Sequence, residues 1–231
     1  MPFLAALVVA AAGVGLGEWQ RGRALQKEMA AEQRLERASL PPLQLPGSAA
    51  AQLSEAQEFR HARARGEFVK SWPIYLDNRP HGGKPGFYLA MPLKLQDGKL
   101  VLVLRGWLPR DAIERTRLPD TPTPSGIVQV TGTIRREPGR VMQLGEPTPP
   151  APGAIVQNLQ VAEVARAYGE DFLPFIIEQT GDARDGLVRD WPQPDTGADK
   201  HRAYAFQWYA LSFTALVFFL VTGIRSGRQN A

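Results

Sequence analysis

From Ala203 to Ile224 the chain carries no charged residue, and its centre, Ala210 to Val221, is almost wholly apolar. At about 1.5 Å per helical residue this stretch reaches roughly 30 Å, the thickness of a bilayer's hydrocarbon. Trp208 and Tyr209 stand near its start as interfacial aromatics, and Arg225 and Arg228 follow it as a basic stop. A buried core helix is rarely so long and so free of charge at a terminus. The pattern predicts a transmembrane helix over residues 201–224 and a short tail, 225–231, on the cytoplasmic side.

The other end is also apolar. Pro2 to Gly17 is uncharged but spans only about 24 Å as a helix. Trp19 is placed to anchor it, and Glu18 with Arg21 marks its end. A cleaved signal peptide is the rival, given Ala10-Ala11-Ala12-Gly13, yet only the terminal amine supplies positive charge ahead of the apolar run. A start codon further upstream would explain both the short span and the missing charge. The favoured expectation is an uncleaved transmembrane helix over residues 1–19. Two spans put both termini on one side, and the positive-inside rule makes that side the cytoplasm of a cell inner membrane. Arg21, Arg23 and Lys27 speak against this locally, but a long middle domain is exported regardless of its charge.

Residues 20–39 read as a helical extension, rich in Glu, Gln, Arg and Ala, with Leu25, Met29 and Leu35 apolar. Leu40 to Gly47 breaks it into a proline-bearing linker. The pattern then turns to short strands: Ile74–Leu76, Leu93–Leu95, Leu100–Leu104, Ile127–Ile134, Phe175–Glu178 and Leu187–Arg189. Asp97-Gly98 predicts a type I′ hairpin between the second and third of these. The Leu100–Leu104 arm is apolar on both faces, as a central strand should be. One helical patch runs from Leu159 to Tyr168. The expected fold class is α+β: two transmembrane helices flanking an exported, mostly antiparallel β-barrel or sandwich domain, residues 40–200, with one or two helices.

The 231 residues contain no Cys and three His. That excludes a disulfide framework, a thiol nucleophile, an iron–sulfur cluster and a Cys-rich zinc site. There is no H-E-x-x-H, no G-x-S-x-G and no phosphate-loop motif. Gly13-Val-Gly-Leu-Gly17 matches a dinucleotide loop only by spacing, and His81-Gly-Gly83 reads as a loop before a strand. No enzyme constellation assembles. Net charge of +4 and a pI near 9.6 permit anionic partners without choosing one. Arg60 to Arg65 reads as a solvated basic run, with no aromatic platform for nucleic acid. His201 differs by position. It heads the carboxy-terminal helix, with Tyr204 or Ala205 and Trp208 on its face by helical spacing. An imidazole above an aromatic wall suits an axial haem ligand, but by position alone an interfacial His that only bonds headgroups is the commoner case.

Four blocks together resemble the Surfeit locus protein 1 family of cytochrome c oxidase assembly factors. They are Leu16-Gly-Glu-Trp-Gln-Arg21, Gly86-Phe-Tyr88 with Met91-Pro-Leu93, Val101 to Pro109 around Arg105-Gly-Trp107, and His201-Arg-Ala-Tyr-Ala-Phe-Gln-Trp208. They come in the family's order and span nearly the whole chain. The departures are the short N-terminus, Leu104 where the family often has Asn, and a Pro- and Ala-rich middle.

The resemblance implies a membrane protein of the respiratory chain that binds haem a and assists its insertion into oxidase subunit I. Haem a synthase and the lipid bilayer are further implied partners. His201 occupies the position the family uses for haem iron, with Tyr204 and Trp208 as wall residues by helical spacing; no catalytic role is implied. Arg105 and Trp107 are expected to be structural, and Arg202 to reach a haem propionate or a lipid phosphate. The alternatives are a haem-free scaffold that stabilises subunit I, and a membrane-anchored periplasmic binding module.

Overall fold

A computed structural model describes residues 2–46, 57–114, 116–192 and 196–229, with side chains from residue 4 to residue 225 among them. Met1, Gly47 at the linker's end and the side chain of Arg228 lie outside the described residues. The chain divides into two compact units, one of Met1–Leu35 with Gln193–Ala231, the other of Glu36–Pro192.

The first unit holds two long helices. Helix α1 runs unbroken from Pro2 to Ser39, so the apolar end and the charged extension are one element. It stops where Ser39 Oγ bonds the Glu36 carbonyl at 2.7 Å and Pro41-Pro42 forbids continuation. The second long helix, α3, spans Ala198–Gln229. Its Ala198–Arg225 segment, with a mean hydropathy of 1.6 in the most apolar window, is long and apolar enough to cross a membrane. Among the described residues it is the one helix that meets both requirements. Only 11% of that window is covered by protein, so its Leu, Val and Phe side chains suit lipid as a solvent.

The second unit is a β-barrel. Its strands are β1 (Leu43–Leu45), β2 (His61–Phe68), β3 (Ile74–Leu76), β4 (Gly86–Leu95), β5 (Leu100–Pro109), β6 (Val128–Arg135), β7 (Ile155–Val156) and β8 (Phe172–Gln179), with helix α2 (Val161–Tyr168) before the last. The sheet order is β1-β2-β6-β8-β5-β4-β3-β7, and a further β2–β4 pairing closes β2, β6, β8, β5 and β4 into a ring. Most pairings are antiparallel; β1–β2, β3–β7 and β5–β8 are parallel.

Strand β5 shows why the ring holds. Val101 and Val103 point into the barrel with Ala62, Leu93 and Ile177. Leu102 and Leu104 point outward, where Val161 and Val164 of α2 and Trp191 cover them. A strand buried on both faces needs no polar side, which is why its sequence has none until Arg105. Helix α2 ends on Gly169, whose positive φ of 87° lets its N–H return to the Ala165 carbonyl.

Several expectations need correction. The proline-bearing linker contains β1, paired parallel to β2. From His61 on, the basic run belongs to a strand, β2; its Arg63 and Arg65 face water, as a solvated run should, while Ala62 and Ala64 are buried. Leu187–Arg189 is no strand; Val188 makes one isolated bridge to Trp107, with N···O distances of 2.7 and 2.9 Å. The β4–β5 hairpin is present, but its turn has three residues. Gly98 N–H bonds the Leu95 carbonyl and Leu95 N–H bonds Lys99, with positive φ at Gly98 and not at Asp97. That is a type I turn with a glycine bulge; Asp97 escapes left-handed strain and instead caps the Lys99 N–H at 3.2 Å.

Candidate functional site

The two sequence blocks at the ends of the chain meet in the helix-pair unit. On α1, Ala10, Gly13, Gly17 and Ala24 are buried, a stripe of small residues one or two turns apart. Facing them on α3 are Ala205 and Ser212, both about 5% exposed or less. A Cβ placed on Gly13 would strike Ser212 Oγ, and one on Gly17 would strike the Tyr209 ring. The glycines are required by close approach of the helices, as small residues are wherever apolar helices pack without a hydrophobic drive. Ser212 meanwhile bonds the Trp208 carbonyl of its own helix at 2.9 Å, so its hydroxyl costs nothing to bury.

Polar contacts begin where the small-residue stripe gives way to the charged part of α1. Tyr209 donates its hydroxyl to Glu18 Oε1 at 2.8 Å, and Arg21 pairs with the same carboxylate at 2.8 Å. His201 Nδ1 lies 2.6 Å from Gln20 Oε1. An amide oxygen can only accept, so Nδ1 donates here, and in the neutral tautomer that makes this bond Nε2 keeps its lone pair. Arg202 reaches Glu28 at 2.7 Å and Asp199 at 3.2 Å.

Of the residues singled out in the sequence, His201 and Trp208 are half-buried, and Ala205 rather than Tyr204 takes the position between them against α1. Tyr204 is 55% exposed. Arg202, expected to seek a phosphate or propionate, is already engaged by two carboxylates. Arg105 and Trp107 lie in the barrel: Arg105 pairs with Asp185 at 2.9 Å, and Trp107 donates its indole N–H to the Arg79 carbonyl at 2.6 Å.

Sequence reasoning missed Gln20 as a partner of the imidazole, and it missed the Glu18–Tyr209 bond. The available signal was slight: two polar residues closing an apolar run, with nothing local to say what they touch. Chemically the arrangement is a fixed imidazole with one free ring nitrogen at the head of a membrane-length helix. Among the described residues no three His, Asp or Glu gather into a cage for a bare metal ion. An iron porphyrin asks only for one such nitrogen, so the residues present fit a haem held by a single protein ligand.

Comparison with known proteins agrees with the motif order. A SURF1-like protein of Rickettsia conorii is 22% identical over 220 residues, covering 90% of this chain and 85% of that protein. One from Rickettsia bellii is 23% identical, with 89% and 84% covered. A SURF1-like protein of Rickettsia felis is 29% identical over 96 residues, only 40% of its own length. The sequence model of the SURF1 family matches residues 7–213, so it takes in both meeting blocks as far as Trp208 and the barrel between them; the chain belongs to the SURF1 family.

Proposed function

We propose that this chain is a cytochrome c oxidase assembly factor that holds haem a through His201 and assists its insertion into oxidase subunit I. The observation that carries the reading is the Gln20–His201 hydrogen bond, because it leaves Nε2 as the one coordinating nitrogen of a ring whose plane is set by a second helix. Bound there, haem a would supply an iron seeking an axial base and an apolar tail suited to lipid. The protein's part is to position. Gln20 orients the ring and sets its tautomer, as the outer partner of a ligating histidine does elsewhere. Tyr204, exposed one turn from His201, offers an aromatic face. Arg202, held by Glu28 and Asp199, keeps its charge engaged on the protein. A single neutral ligand gives a hold weak enough to release, as a carrier needs.

The same helix pair supports a two-span topology. The apolar start of α1 packs on α3 through Gly13 and Gly17, so a membrane that takes in α3 takes in the first turns of α1 with it. Both termini would then be cytoplasmic and the barrel periplasmic, in the inner membrane, within reach of subunit I and haem a synthase.

The test is an optical spectrum of the detergent-purified protein from a host that makes haem a, beside His201→Ala. A reduced haem a band in the parent and none in the variant is the expected result. Equal bands would remove His201 as the ligand. No band in the parent, with haem a present in the host membranes, would favour a haem-free scaffold.

A further inference from the structure

Arg105 interrupts an otherwise apolar strand, and the backbone makes room for it. In the β4–β5 ladder Leu89 faces Gly106 and Ala90 faces Leu104, so Arg105 is the extra residue of a bulge. Arg105 lies on the face of Val101 and Val103, as strand alternation places it, with its guanidinium 5.0 Å from the Phe68 ring.

The charge there does not balance. Arg105 is 1% exposed, and it shares Asp185 with Arg189, at 2.9 and 2.6 Å respectively. Two buried guanidinium groups thus face one buried carboxylate. Their other acceptors among the described residues are neutral: Thr123 Oγ1 at 2.6 Å and the Pro122 carbonyl at 2.8 Å for Arg105, and the Leu187 carbonyl at 3.5 Å for Arg189. Nε of both arginines has no hydrogen-bond partner. Burial weakens the hold of Arg105 on its proton, Asp185 opposes that, and Arg189 adds to it. A buried surplus cation is costly unless an anion joins it.

A cavity of about 470 Å³ opens at this point, in the mouth of the barrel. Phe68, Val128 and Val130 form an apolar floor, while Arg105, Arg184, Gln179, Thr123, Gln129 and the shared carboxylate Asp185 are its polar lining. The Gln179 amide is buried with its oxygen unpartnered, and a half-turn of its last bond brings its NH2 to bear instead. Apolar walls with a few convergent polar groups, in a barrel mouth, are the usual form of a small-ligand site.

We propose that the mouth of the barrel is a binding site for a small carboxylate with a short apolar chain. The carboxylate joins the Arg105–Asp185–Arg189 cluster and meets Arg184 at the rim; the chain lies on Phe68, Val128 and Val130. The site is separate from the helix pair and does not depend on haem binding.

Thermal unfolding of the full-length protein in detergent, with hexanoate as the probe, tests this. Hexanoate should raise the unfolding temperature in a saturable way, while hexanamide, acetate and sulfate at matched ionic strength should not. Arg184→Glu, at the rim and clear of the buried cluster, should weaken hexanoate about tenfold, the worth of one charge-assisted contact. Val128→Trp, filling the half-buried floor, should abolish the effect while the protein still unfolds cooperatively. An equal shift with hexanamide, or with acetate and sulfate, would overturn the proposal. So would no shift with hexanoate, or hexanoate binding unchanged in both variants.

Discussion

At the scale of single residues, the His201 ring carries the chemistry of the helix pair. Its Nδ1 is held by Gln20 across a gap of 181 positions, and the bond sets which nitrogen is basic. Replacing Gln20 with Leu removes the acceptor without adding charge. In protein free of haem, nitrogen-15 NMR of His201 should then move from a single Nδ1–H tautomer to a mixture of both. An unchanged spectrum would mean that something other than Gln20 fixes the ring. Glu178 is a second residue with a measurable signature. Burial pushes its carboxyl above its ordinary value; Arg135 pulls the other way, and Glu58 adds to the rise. A carboxyl with a raised folded value contributes stability fully below its unfolded value of 4.5, and that contribution drains as pH climbs through the folded value. Glu178→Gln lacks this loss, so its unfolding temperature should gain on the parent as pH rises across a range that starts near 4.5. A constant difference across that range would rule the effect out.

At the scale of elements, the helix pair can be tested directly because the chain has no cysteine. A Cβ on residue 13 would lie 3.4 Å from the Ser212 Cβ, near the span of a disulfide. The double variant Gly13→Cys with Ser212→Cys should cross-link on mild oxidation and run differently on a non-reducing gel, while each single variant should not. Failure to cross-link would mean that the two helices do not pack in this register. What was legible in the sequence follows from where each element draws its stability. Strand β5 announces itself because it is buried on both faces. Strand β2 hides because its buried positions before Phe68 are Ala62, Ala64 and Gly66, too small to raise the hydropathy between Arg63, Arg65 and Glu67. Strands β1 and β7, three and two residues long, exist only by pairing with β2 and β3. Gly13 could be read with Ala10 to Ala12 as signal-peptide composition, and Gly13 to Gly17 as loop spacing, because small residues serve several purposes. The meeting of Gln20 with His201 had no local trace at all.

At the scale of the whole molecule, the barrel's tolerance of acid has two opposed sources. For Asp185, burial favours the protonated form, but the hydrogen bond and charge of Arg189, the Leu187 N–H and Arg105 outweigh it and hold the carboxyl below its ordinary 3.8. A depressed carboxyl contributes stability above its unfolded value and loses it as pH falls through the folded one. Stability of the full chain should therefore fall on acidification below about pH 4, opposite in sign to the Glu178 effect. Asp185→Asn should lose that acid limb. It should also unfold at a lower temperature near pH 7, since stripping one partner from a buried ion pair costs about 3–5 kcal/mol. Thermal unfolding across pH measures both, and a parent with no acid limb would contradict the assignment.

The separation of Gln20 from His201 also has a consequence in time. A ribosome adding about 5–20 residues per second delivers the second partner roughly ten to forty seconds after the first. Throughout that interval α1 waits with its glycine stripe uncovered. No amino-terminal fragment, however well its barrel folds, contains the oriented imidazole. A stop between the barrel's last strand and residue 201 yields a chain with a finished middle and no ligand, so the site itself certifies that synthesis passed His201.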